Sequence, residues 1–307
     1  MKKIIFICFI VISNIFGFED NKIDAQYSYN IEVGERTDNI VWNIGNVDYV
    51  TGGNTYHPNI LSELSWKDIK SYYGKLELYG EDGDYRLKLN YLKSLDSNSG
   101  SNQDSDYYYN NRTGEFSRSN NKANDSYFED YSIWLGENYN FSKSSNFIFW
   151  LGYEVNKQFL KINNGTQTIG GPISLLGLNS TYDTKWTGYF TGLEYSYSMS
   201  SFRFNTNIMY HKLSYEAYAN WNLRSDLEHP ISFKHSSKNG YGIGYEIKLS
   251  YIFNNTITIF SNYTKKIFSV KNGQAMNYNS DGSIGFAYLN NVKLETNMIS
   301  IGIHYKF

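Results

Sequence analysis

Along much of the chain apolar and polar residues alternate with a period of two, the pattern of strands whose two faces meet different surroundings. Tyr85, Leu87, Leu89 and Tyr91 alternate with Arg86, Lys88 and Asn90. Phe147, Phe149, Leu151, Tyr153 and Val155 share one face of another run. Tyr189, Thr191, Leu193, Tyr195 and Tyr197 oppose Gly192, Glu194 and Ser196, and Phe202, Phe204, Ile208 and Tyr210 oppose Arg203, Asn205 and Asn207. Ile243, Tyr245, Ile247, Leu249, Tyr251 and Phe253 oppose Gly244, Glu246, Lys248 and Ser250. The cleanest run is the last, where Ile299, Ile301, Ile303, Tyr305 and Phe307 alternate with Ser300, Gly302, His304 and Lys306. The pattern predicts ten strands, near 27–42, 64–80, 84–96, 126–141, 146–161, 182–199, 200–218, 231–253, 255–271 and 287–307. Short turns such as Gly83-Asp84 and Asn254-Asn255 join them at one end. Longer polar segments, about 43–63, 97–125, 162–181, 219–230 and 272–286, join them at the other.

The polar face of these strands carries Arg86, Lys88, Glu194, Arg203, Glu246 and Lys248. Such charges can pair across a lumen but are costly against lipid. In lipid a sheet must also close on itself, because its edges have no water to bond. A soluble β-sandwich is the alternative, but a sandwich core is seldom so rich in Tyr. Composition sharpens the choice: 30 Tyr, 18% aromatic residues and only 3 Pro suit a barrel wearing aromatic girdles at both interfaces. Ten strands leave a narrow lumen filled by side chains, so a diffusion pore is not expected.

The N-terminus is a separate signal. Met1-Lys2-Lys3 precedes a nearly unbroken apolar run from Ile4 to Phe18, ended by Glu19-Asp20. A basic start with an apolar run of about 15 residues describes a secretory signal; an anchor helix, the alternative, wants about 20. Cys8, the single cysteine, lies in it, so the exported chain has no disulfide or Cys metal site. Without Lys2 and Lys3 the balance is 26 basic to 30 acidic residues, which gives no call for nucleic acid. The expectation is therefore an all-β, ten-stranded antiparallel transmembrane β-barrel with long extracellular loops, over 19–307, behind a signal peptide at 1–18. It is expected as a monomer in a bacterial outer membrane.

Leu61-Ser-Glu-Leu-Ser-Trp66-Lys67 and the closing Tyr305-Lys306-Phe307 look like segments of the omptin family of outer-membrane proteases, and the strand count agrees. The family's Asp-x-Asp-aromatic reads here Asp104-Ser-Asp106-Tyr107, with Gly114 and Phe116 at the family's following offsets. On spacing alone these are more simply solvated loop acids; the resemblance is what gives them a role. Residues two apart on a strand share a face, and two carboxylates held together share a proton and can hold a water. The family's Asn-Asp-Glu-His, whose Asp orients the His that serves as general base, is matched by Asp226-Leu227-Glu228-His229. Leu227 then holds the place of the Asp, and Asp226 stands one residue early. Counted without a gap from Tyr210, the dyad positions fall instead on Asn220 and Asn222. The gapped version keeps His229 and the following Ile231-Ser-Phe-Lys234. His57, His211, His235 and His304 are expected to be structural.

The resemblance further implies a substrate groove with acids for basic residues. One such acid matches Asp38; another falls on Arg118, with Glu115 nearby to compensate. It also implies lipopolysaccharide as activating lipid, its phosphates held at Lys157 and Lys185, which share the lipid-facing parity of Tyr153 and Tyr189. Plain snorkelling of these lysines is the alternative. The family has Arg there and an acid where this chain has Val155. No metal or other cofactor is implied. The function expected is an endopeptidase cutting extracellular peptides or proteins near basic residues. The alternatives are a non-catalytic surface barrel, as adhesin or structural protein, and a small channel or lipid-modifying barrel.

Overall fold

The computed structural model describes residues 26–307; the signal segment expected over 1–18 lies outside the described residues. The strands are β1 (Gln26–Gly45), β2 (Tyr49–Thr51), β3 (Asn54–Tyr56), β4 (Ser62–Asp82), β5 (Tyr85–Tyr109), β6 (Thr113–Lys122), β7 (Tyr127–Asn140), β8 (Ser145–Ile169), β9 (Ile173–Met199), β10 (Phe202–Asn220), β11 (Phe233–Ile252), β12 (Ile257–Tyr278) and β13 (Ile284–Lys306). β2 and β3 form a small hairpin of their own. The rest close an all-β antiparallel ring of ten strands, in which β1 pairs with both β4 and β13.

The fourth strand of the ring is made of two pieces. The lower half of β5, Tyr85–Lys93, pairs with β7, and its upper half, Ser101–Tyr109, pairs with β6. β8 likewise pairs with β7 below and β6 above. The break falls at 123–126, where the Ala123 N–H donates to the Gly100 carbonyl at 2.9 Å and the Ser126 hydroxyl donates to the Ala123 carbonyl at 2.7 Å. Gly100 has φ +151, and a Cβ there would lie 2.3 Å from Ile69, so the kink requires glycine. Segments 97–125 and 162–181, expected as loops, are therefore mostly strand, with corners at 110–112 and 170–172 and the break at 123–126. Their polar composition misled the sequence reading because these strands rise beyond the apolar band, where neither face needs the period-two contrast.

The predicted parity holds in the wall. Ile299, Ile301, Ile303, Leu193, Leu249 and Tyr189 are exposed on the outside. Inside the lower half, charges pair. Lys75 meets Glu77 at 2.8 Å and Glu32 at 3.4 Å, Lys248 lies 3.8 Å from Glu77, and Lys266 bonds Glu154 at 3.1 Å. Glu154 also holds His211, and Lys88 sits over the Trp134 ring at 3.6 Å. Arg36 bridges Asp38 at 2.8 Å and Asp130 at 2.7 Å. The space left among these groups is about 50 Å³. Above them an apolar plug fills the upper half: Trp66, fully buried, stacks on Tyr182 at 5.2 Å, and Trp186, Phe268, Leu289 and Leu294 complete it. His235 is buried, bonded through Nδ1 to the Tyr182 hydroxyl at 2.8 Å, and edge-on to Trp42. His304 bonds Asn30 at 2.8 Å.

Breaking a buried ion pair strands its partner in a poor dielectric. Glu77→Gln leaves Lys75 and Lys248 short of a counter-charge, and is expected to destabilise the barrel by about 3–5 kcal/mol. Urea titration of the refolded barrel in lipid vesicles reads this directly; an unchanged midpoint would mean the interior network carries little of the stability.

Candidate active site

A strand tilted about 40° climbs roughly 2.5 Å per residue. Asp104, 19 residues above Tyr85, and Asn220, 18 above Phe202, therefore stand at one level near the long-loop end, beyond an apolar band about 25 Å tall. β5 and β10 are four places apart on the ring, so the two positions face each other across the mouth. The plug of Trp66, Tyr182 and Leu64 forms the floor between them.

Asp104 and Asp106 lie on the inward face of β5. Asp104 pairs in register with Leu64 of β4 and Ser119 of β6, and Asp106 with Ser62 and Ser117. Both are half-buried, yet the Asp104 Oδ1 atom is sealed from solvent and has no hydrogen-bond partner. Burial first, and the neighbouring Asp106 charge second, push the Asp104 carboxyl well above the usual carboxylate range; Arg224 pulls the other way. Burial also raises Asp106, against hydroxyl bonds from Ser62 and Ser117 and the field of Arg224. Two carboxylates raised together on one inward face do not ionise independently.

The facing loop, 221–232, is held by its backbone. The Glu228 N–H donates to the Tyr278 carbonyl at 2.9 Å, and the Ser232 hydroxyl donates to the Glu228 carbonyl at 2.9 Å. Leu227 is 3% exposed and bridges to Asn279, so it anchors the loop. Asp226 does not orient His229: both its oxygens bond Arg224, at 2.8 and 2.6 Å, and this pairing holds its carboxyl below the usual range. His229 is exposed, and its Nδ1 lies 2.7 Å from the Asn220 side-chain oxygen. Arg224 and Asn220 were not singled out as site residues from sequence, although Asn220 is where the ungapped count put the dyad acid.

The expected substrate acids are otherwise engaged. Asp38 is 2% exposed, inside the barrel, and its Oδ1 takes Arg36 at 2.8 Å and the Thr296 hydroxyl at 2.7 Å. Glu115 bonds the Arg118 Nε at 2.8 Å, so the sign reversal at Arg118 is met by its own neighbour three residues away. On the outer wall Lys157 and Lys185 are direct cross-strand partners, flanked by Glu129 on β7 and Glu216 on β10. Lys157 lies 12 residues above Ser145, roughly 30 Å up at the climb given above, which is the upper rim of the apolar band. At position 155, where the resemblance implies an acid, stands Val155, and the acids nearest the lysines in register are those two glutamates.

A family model described as Protochlamydia outer membrane protein matches residues 30–307. The chain belongs to that outer-membrane protein family. Among solved structures it is similar to the outer membrane protease OmpT of Escherichia coli, with a TM-score of 0.76 at 12% identity over 93% of this chain and 98% of that one. Neisserial surface protein A also matches, with a TM-score of 0.32 at 7% identity over 92% and 99% of the two chains. The search of curated proteins gave no match. At such identity the likeness to OmpT shows a shared barrel fold, and this family member carries that fold in an outer-membrane setting.

Because Asp104 holds its proton more tightly folded than unfolded, its protonation stabilises the fold at acid pH, and that contribution is lost as pH rises through the raised folded-state value. Asp104→Asn imitates the protonated form. It is expected to stabilise the barrel by about 1–3 kcal/mol at neutral pH, the scale of one unsatisfied buried group, and by nothing below about pH 4, where both states are protonated. Apparent melting temperatures across pH check this; a wild type more stable than the variant at neutral pH would contradict it.

Proposed function

We propose that this barrel is an omptin-like endopeptidase of the bacterial outer membrane, with its long-loop end extracellular. The observation that carries the proposal is the Asp104/Asp106 pair on one inward face at the mouth, with the Asp104 Oδ1 atom sealed and unpartnered above an apolar floor. A water held by the pair attacks the scissile carbonyl carbon. His229 takes the water proton at Nε2 and returns it to the leaving amine, while the pair's proton is available to the developing oxyanion. No covalent intermediate is formed. Glu228, exposed beside His229, is the acid left to meet a basic side chain, since Asp38 and Glu115 are bonded within the protein. Lys157 and Lys185, adjacent at the membrane rim, suit the phosphates of lipopolysaccharide as an activating lipid, and the substitution of Arg by Lys there removes bidentate binding.

A second function, a non-catalytic surface barrel, is favoured by two observations: among the described residues no carboxylate is hydrogen-bonded to His229, and Arg224, paired with Asp226, brings a cation to bear on the Asp pair. Refolding the barrel with lipopolysaccharide and offering a fluorogenic peptide with Arg-Arg and Arg-Lys bonds separates the two. Cleavage is expected, with kcat/KM lowered by at least roughly a hundredfold in both His229→Ala and Asp104→Asn. A folded barrel that cuts nothing would establish the non-catalytic function instead, and cleavage surviving in His229→Ala would remove His229 as base.

A further inference from the structure

The two ways of aligning the loop place different residues at the dyad. One gives Asn220 and no base; the other gives His229 and no acid. In the fold both are present together: Asn220 ends β10, His229 lies nine residues on, and the loop folds back so that their side chains meet at 2.7 Å. We propose that Asn220 is the positioning residue for His229, a neutral amide doing what a carboxylate would do in an Asp–His dyad. This inference rests on the endopeptidase function proposed above.

The contact fixes a tautomer. The Asn220 oxygen has no proton to give, so Nδ1 of His229 is the donor, and in the neutral ring that leaves the lone pair on Nε2, as a base requires. Both ends of the contact are held. Asn220 is in register with Thr181 of β9, and its neighbours are tied to the loop, with the Ser232 N–H donating to the Ala219 carbonyl at 2.8 Å and the Trp221 N–H to the Ser232 hydroxyl at 3.1 Å. Ser232 in turn bonds the Glu228 carbonyl, directly before His229. One serine thus gathers the residues flanking both partners. An amide orients the imidazole through one hydrogen bond and brings no charge of its own to the contact.

The test uses the refolded full-length barrel with lipopolysaccharide and the Arg-Arg peptide, in wild type, Asn220→Ala and Asn220→Asp, each first shown to be folded by heat-modifiable gel mobility. Nitrogen-15 shifts of His229 report the tautomer independently of turnover. Wild type is expected to show a protonated Nδ1. Asn220→Ala should shift toward the Nε2-protonated form that free imidazole prefers, and kcat should fall by roughly a hundredfold, the scale of a misplaced catalytic group, with KM nearly unchanged. Asn220→Asp should restore the tautomer and most of kcat. Wild-type cleavage that Asn220→Ala leaves intact, or a His229 tautomer indifferent to it, would overturn the role of Asn220 alone. A wild type that cuts nothing would overturn the endopeptidase function and the catalytic use of this pair with it.

Discussion

Closure of the sheet is the constraint from which the rest follows. Every backbone N–H and C=O within the apolar band must be paired inside the chain, and the seam between β1 and β13, in register from Ser28 to Asn43, completes the ring. Once the ring closes, parity decides each side chain's surroundings. Glu32, Glu77, Glu154, Lys75, Lys88 and Lys266 have no side but the interior, and there they must neutralise one another. The result is a packed charge network below and an aromatic plug above. A ring this narrow cannot both satisfy those charges and stay open, so the surface left accessible to solutes is the rim, where strands outgrow the membrane.

The wall was legible in the sequence because two solvents write a period-two contrast into it. The exposed Ile299, Ile301 and Ile303, set against Ser300 and Gly302, need no tertiary information to interpret. The upper halves of β5, β6, β8 and β9 were not legible. There both faces are wet or packed on local partners, and Asn- and Ser-rich strand looks like loop. The broken fourth strand was hidden for a related reason, since its kink depends on how closely Gly100 approaches Ile69.

From spacing, the two aspartates could be given a common face but not a direction, because their segment read as loop; the strand register turns that face inward. Its surroundings could not be foreseen. Arg36 claims Asp38 because both are enclosed by the same ring, and Arg224 claims Asp226 within a tight turn. The meeting of Asn220 with His229 was not legible, since the two belonged to rival alignments and are joined by a loop folding back over nine residues, a fact of Ser232 and Leu227 rather than of any motif. Glu129 and Glu216 beside the paired lysines emerge only once strand register is known. Low identity with a shared barrel is what this produces: the closure rules preserve the wall, and the rim is free to change partners.

The central claim is that water, activated at this rim, attacks the peptide directly. It is tested by analysing the products of cleavage by mass spectrometry in the presence of a large excess of an added amine acceptor. Direct attack predicts only the free acid and free amine, because no acyl-enzyme exists for the acceptor to intercept. A transfer product joined to the acceptor, or no cleavage at all, would contradict the account.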